Sequence, residues 1–69
     1  MPNDLMSGLF SEMDRVREIV KEYDEQPRNA GAFASWCMRR DIQRAEKAIK
    51  ANDTVEMIFC YSSLKEYEL

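Results

Sequence analysis

Histidine is absent from this 69-residue chain, and cysteine, glycine and proline occur only twice each. Each scarcity closes off a class of chemistry. Catalysis by serine or cysteine normally relies on a neighbouring base, most often histidine. None is available, and Ser7, Ser11, Ser35, Ser62 and Ser63 fall where helix surfaces and caps are expected. Metal sites lose their commonest ligand, and Cys37 and Cys60 form no closely spaced pair. Gly8 and Gly31 stand alone, so no glycine-rich loop cradles a phosphate. Scarce glycine and proline also disfavour a turn-rich β fold. No run approaches the ~18 apolar residues that span a bilayer, and the N-terminus lacks a basic-then-apolar signal. The expectation is a cytoplasmic protein, not an enzyme, with no cofactor, no metal and no membrane partner.

What the chain does contain is the make-up of a folded domain. Apolar residues are 45% and charged residues 33%, a balance that disfavours disorder. One domain over residues 1–69 is expected. A chain this short buries only about 60% of the surface its unfolded form exposes. A single core of that size supplies roughly 3–5 kcal/mol without outside help. With disulfides and metals disfavoured, a homodimer is the expected source of help.

The net charge is −3, unevenly spread. Residues 1–26 carry seven acids and three bases, residues 29–52 five bases and two acids, and residues 53–69 four acids and one base. Acid, base, acid in that order suits segments that fold against one another. It does not suit a nucleic-acid binder, which usually shows a net basic surface.

Periodicity predicts three helices. The first should start near Asn3 or Asp4, both good N-caps, and run to about Glu25. Met6, Leu9, Met13, Val16, Val20 and Tyr23 step by alternating threes and fours, which is a heptad seam. Leu5, Phe10 and Ile19 widen it, enough to touch two neighbours. Gln26-Pro27 stops this helix, because proline excludes the α conformation before it. A short connector with Asn29 as candidate N-cap then leads to an antiparallel second helix, from about Ala30 to Ala51. Its seam is Met38, Ile42, Ala45 and Ile49, with Ala34, Ser35 and Ala48 small enough for close approach. Asp53-Thr54-Val55-Glu56 has the form of a capping box and opens a third helix to about Tyr67. Val55, Met57, Ile58, Phe59, Cys60 and Tyr61 make that segment apolar almost all round. In a three-helix chain, one of its sides then needs another subunit. A strand is the rival reading of the same residues, although the capping box favours helix.

The predicted fold is therefore all-α: a long antiparallel helical hairpin with a shorter C-terminal helix, in a homodimeric bundle. Leu9, Met13, Val16, Val20, Ile42, Ile49, Ile58 and Phe59 are the expected core and dimer residues. In such a hairpin Cys37 and Cys60 would be offset along the axis by roughly 12 Å. A disulfide needs Cα atoms within ~7 Å, so two reduced, semi-buried thiols are expected.

Asp14, Glu18, Glu22 and Glu25 are spaced to stand on one helix face. Like charges at that spacing cost a few tenths of a kcal/mol each. The ladder fits a ridge presented to a basic partner, and equally an ordinary solvated face. Arg39, Arg40, Arg44, Lys47 and Lys50 form a basic ridge on the second helix. It could bind phosphates, making the chain a small dimeric nucleic-acid-binding regulator, or it could complement the acidic first helix. A purely structural dimeric subunit is a third reading. Trp36, Tyr61 and Tyr67, with Phe33 and Phe59, are more aromatic surface than a small core hides, and Trp and Tyr anchor interfaces. The partner-binding candidates are Asp14, Glu18, Glu22, Glu25, Trp36, Arg40, Arg44, Tyr61 and Tyr67.

The length, the three-helix layout and the stretch from Ala45 through Asn52-Asp53-Thr54 to Ile58 resemble small early proteins of Mu-like transposable phages, in particular anti-activator proteins that inhibit quorum sensing in Pseudomonas. The resemblance implies a small helical dimer without enzymatic activity, acting in the host cytoplasm. It implies binding to the DNA-binding domain of a LuxR-type quorum-sensing activator, without direct contact to nucleic acid. It further implies a second target, the assembly ATPase of type IV pili, with exclusion of other phages. The acidic ladder agrees to one extent, since a DNA-binding domain is basic and a complementary ridge would steer encounter.

Overall fold

The computed structural model describes residues 5–27 and 30–68 and places three α-helices in them: α1 (Leu5–Asp24), α2 (Ala32–Ala51) and α3 (Thr54–Lys65). The proposed caps Asn3, Asp4 and Asn29 lie outside the described residues. The segment from Thr54 onward is helix, and no strand occurs among the described residues.

α1 ends one residue before the expected Glu25. The Glu25 and Gln26 amides turn inward to the Glu22 and Tyr23 carbonyls, at 3.3 and 3.2 Å, a tight final turn ahead of Pro27. α2 starts at Ala32 rather than Ala30. Gly31 takes the N-cap place with φ −99° and ψ 9°, and no side chain caps this end. Its glycine is required by space. A Cβ on Gly31 would lie 2.7 Å from the Tyr23 carbonyl oxygen and 2.7 Å from the Tyr23 ring.

The turn between α2 and α3 is fixed from both sides. Asn52 adopts the left-handed conformation with φ 55°, which asparagine tolerates better than most residues. The Asn52 amide donates to the Ile49 carbonyl at 3.1 Å and the Asp53 amide to Ala48 at 2.9 Å, a Schellman closure of α2. The Asp53 carboxylate then accepts from the Glu56 amide at 3.2 Å and caps α3. Only half of the expected box forms, because the Asp53 amide is already used by α2 and the Glu56 carboxylate is held by Arg44.

Direction follows from the cross-links. Arg17 meets Glu46 and Asp24 meets Arg39, so α1 and α2 run antiparallel. Gly8 lies under Tyr61 and Arg15 reaches Leu64, so α3 runs alongside α1 in the same sense. The core lies between all three: Leu9, Met13, Val16, Ile19 and Val20 from α1, Met38, Ile42, Ala45 and Ala48 from α2, and Met57, Cys60 and Leu64 from α3. The heptad seam of α1 and the Met38, Ile42, Ala45 and Ile49 seam of α2 both face inward, with Met6, Tyr23 and Ile49 half-buried at the edges. Phe10, expected to widen the α1 stripe, is instead 47% exposed.

Replacing Gly31 with alanine should lower stability to urea by about 1–3 kcal/mol, because the intruding methyl meets backbone that cannot yield. At Gly8 the new methyl would meet only the Tyr61 ring, at 3.2 Å. There the gain in helix propensity, ~1 kcal/mol, offsets the shift of the ring. Equal losses at the two positions would contradict this packing.

Candidate interaction surfaces

The acidic ladder lies on the side of α1 opposite its buried residues. Asp14, Glu18, Glu22 and Glu25 are all exposed, although Glu25 stands just past the helix end. Asp14 pairs with Arg17 at 3.0 Å while its side chain stays 80% exposed. Among the described residues no cation pairs with Glu18, Glu22 or Glu25. The acids facing other helices are treated differently. Asp24 accepts from Arg39 and from the Ser35 hydroxyl, the latter at 2.6 Å. Glu46 takes Arg17 at 3.1 Å, and Glu56 takes both Arg44 nitrogens that face it, one at 3.2 Å. Hydrogen bonding from Arg44 holds the Glu56 carboxyl below its ordinary range.

Arg15 was invisible to the periodicity argument, and it ties the three-helix arrangement together. Its guanidinium donates to the Tyr67 carbonyl at 2.7 Å and the Leu64 carbonyl at 2.9 Å, with Glu12 orienting it at 3.0 Å. The Leu64 carbonyl also accepts from the Tyr67 amide at 3.2 Å, and a cation at this end of α3 meets the negative end of the helix dipole. The sequence signal was only Glu12 three residues before Arg15. Nothing in α1 alone says that the end of α3 lies opposite.

The two tyrosines proposed as anchors serve the fold. Tyr61 is half-buried over Gly8, with the Lys65 ammonium 5.3 Å from its ring centroid. The Tyr67 hydroxyl donates to Asp41 at 2.6 Å, and Asp41 is one of only two buried polar or charged residues among those described, the other being Ser35. Burial, then the hydrogen bond and charge of Asp41, push the Tyr67 hydroxyl well above its ordinary value. Arg44, also proposed for a partner, spends its guanidinium on Glu56.

Trp36 and Arg40 are the candidates the structure brings together on an exposed surface. The Arg40 guanidinium sits 5.1 Å from the Trp36 ring centroid, and Phe33 stacks on Trp36 at 6.2 Å with 22° between the planes. Trp36 is 55% and Phe33 77% exposed. A shallow basic depression lined by Arg40, Gln43, Arg44 and Lys47 continues down the same helix.

No family model, no curated protein and no solved structure matches this chain. Its surfaces therefore carry the functional reading.

The third surface is on α3. Met57, Cys60 and Leu64 face the core, whereas Val55, Ile58 and Phe59, three and four residues apart, face outward at 50–64% exposure. Of the residues expected in the core or a dimer, Leu9, Met13, Val16, Val20 and Ile42 are buried and Ile49 is half-buried. Ile58 and Phe59 lie outside this subunit's core. Both cysteines are free, Cys60 buried and Cys37 half-buried, and burial pushes the Cys60 thiol up. Among the described residues no group of three or more His, Cys, Asp or Glu could hold a metal ion, and no helix is long and apolar enough to cross a membrane.

Tyr67 gives a pH prediction with a defined sign. A hydroxyl whose folded pKa is raised contributes stability in full below its unfolded pKa of about 10, and that contribution drains away as pH rises beyond it. Tyr67→Phe should be less stable at neutral pH by about 1–3 kcal/mol, since Asp41 loses its donor. The variant should also show a smaller further loss above pH 10 than the parent. Parallel stability curves from urea melts between pH 7 and 11 would contradict this. Arg15→Met should cost about 1–2 kcal/mol, discounted for the partial exposure of the side chain. An unchanged melt would remove Arg15 from its role as clamp.

Proposed function

We propose that this chain is a non-catalytic binding protein that self-associates through α3 and docks on a basic partner through the outer ridge of α1. One observation supports it above the others: the carboxylates that face neighbouring helices each have an arginine, whereas Glu18, Glu22 and Glu25 have none among the described residues. A row of exposed like charge that makes no ion pair among the described residues is a surface complementary to a cationic one. The resemblance to phage anti-activator proteins supplies the sharper form. In that form the partner is the DNA-binding domain of a LuxR-type quorum-sensing activator, displaced from its promoter, with the type IV pilus assembly ATPase as a further target. The basic second helix gives less support to duplex DNA as the main partner, because Arg39 and Arg44 are held by Asp24 and Glu56.

The test is a gel-shift competition with a purified LuxR-type activator and its promoter. Increasing amounts of the protein should release the DNA. Glu18→Lys with Glu22→Lys should raise the concentration needed at least about tenfold, through like-charge contact with the basic domain, without changing the far-UV circular dichroism. DNA that stays bound at every concentration would remove the activator as partner. Equal potency of the double variant would remove the ridge.

A further inference from the structure

We propose that the outward face of α2 is a platform for single-stranded nucleic acid, with bases stacking on the ends of a column of Phe33, Trp36 and Arg40 and phosphates reached by Arg40 and Lys47. This face is separate from the acidic ridge of α1 and uses none of its residues.

Three observations point there. First, the rings form a column. Phe33 and Trp36 are stacked and nearly parallel, and the Arg40 guanidinium extends the stack over Trp36. Flat, exposed faces of this kind accept a base on aromatic or guanidinium planes. Second, the cations follow from the rings in a line. Trp36, Arg40 and Lys47 recur at turn spacing along one side of α2, and Arg40, Gln43, Arg44 and Lys47 line one depression. Third, the acids of α2 are turned away from it. Asp41 is buried against Tyr67, and Glu46 is engaged by Arg17. Asp41 reaches Arg40 only at 3.9 Å and leaves that side chain 60% exposed, and Lys47 pairs with no acid among the described residues, although the chain as a whole is acidic.

The occupant is chosen by this combination. A membrane surface would take aromatic and cationic residues, but it gains nothing from a preformed ring stack. An acidic peptide would use the cations and leave the flat faces idle. Duplex DNA hides its base faces. A single strand offers both exposed base faces and a line of phosphates. Because the contact involves few phosphates, binding should be weak and sharply salt-dependent, with a log–log slope of about −0.7 per phosphate engaged.

Trp36 is the only tryptophan in the chain, so its fluorescence reports the site directly. The full chain would be titrated at low salt with a 20-residue oligothymidylate, its oligouridylate counterpart and vesicles rich in phosphatidylserine. Quenching by an oligonucleotide, reversed by added salt, is the expected result. The two oligonucleotides distinguish a DNA from an RNA source. Arg40→Glu with Lys47→Glu should abolish the quenching, with helical circular dichroism unchanged. Trp36→Ala, followed by anisotropy of a labelled oligonucleotide, should weaken binding at least about fivefold. Glu18→Lys with Glu22→Lys should leave binding no weaker. Absence of any response to both oligonucleotides would overturn the proposal, as would a blue shift with vesicles alone. Binding that survives both α2 variants would overturn it too.

Discussion

Everything in this molecule depends on α3 being apolar on two opposite sides. Its twelve residues contribute Met57, Cys60 and Leu64 to a shared core, yet also carry Val55, Ile58 and Phe59 outward. A helix with one apolar stripe would simply complete the bundle. This one completes the bundle and leaves a second stripe over. The inner side can only be used if the short helix is held in register, and polar contacts at its two ends do that. Asn52 and Asp53 close α2 and open α3 within two residues. At the far end, Arg15 reaches across from α1 to the carbonyls of Leu64 and Tyr67.

The polar contacts divide labour in a consistent way. Those between helices link an arginine or a hydroxyl to one acid each, so that Asp24, Asp41, Glu46 and Glu56 all find partners within the chain. Exposed pairs of this type contribute little individually. Their effect is to set which helix faces which, and to leave the unpaired charges on known faces. The negative excess is left on the back of α1. The positive excess is left on the outer side of α2, beside the ring stack. A small chain that spends its acids and bases this way presents two surfaces of opposite sign and one apolar surface, each on a different helix.

Much of this was legible in the sequence. The heptad steps of α1 and the Met38, Ile42, Ala45 and Ile49 seam of α2 fall on the core or its edge, because burial in a helical hairpin follows the 3.6-residue period directly. Asp53 with Glu56 marked the start of α3 and decided against a strand. The ladder's exposure followed from its spacing alone. The failures have a common physical cause. Gly31 as the first cap of α2, the Arg15 clamp and the inward turn of Tyr67 onto Asp41 all depend on which residue of one helix meets which of another. Periodicity gives the face of a helix but not its height against a neighbour. Tyr61, Tyr67 and Arg44 were offered as partner-binding candidates without that information, and each makes a contact with another helix of the chain.

The claim that α3 faces two ways is tested most directly by sedimentation equilibrium of the parent protein and of Ile58→Asp with Phe59→Ser. The account predicts a reversible dimer for the parent and a folded, helical monomer for the variant, because the outer stripe adds nothing to the inner core. A parent that stays monomeric across the accessible concentrations would contradict it. So would a variant that loses its helix, since the outward residues would then belong to the fold itself.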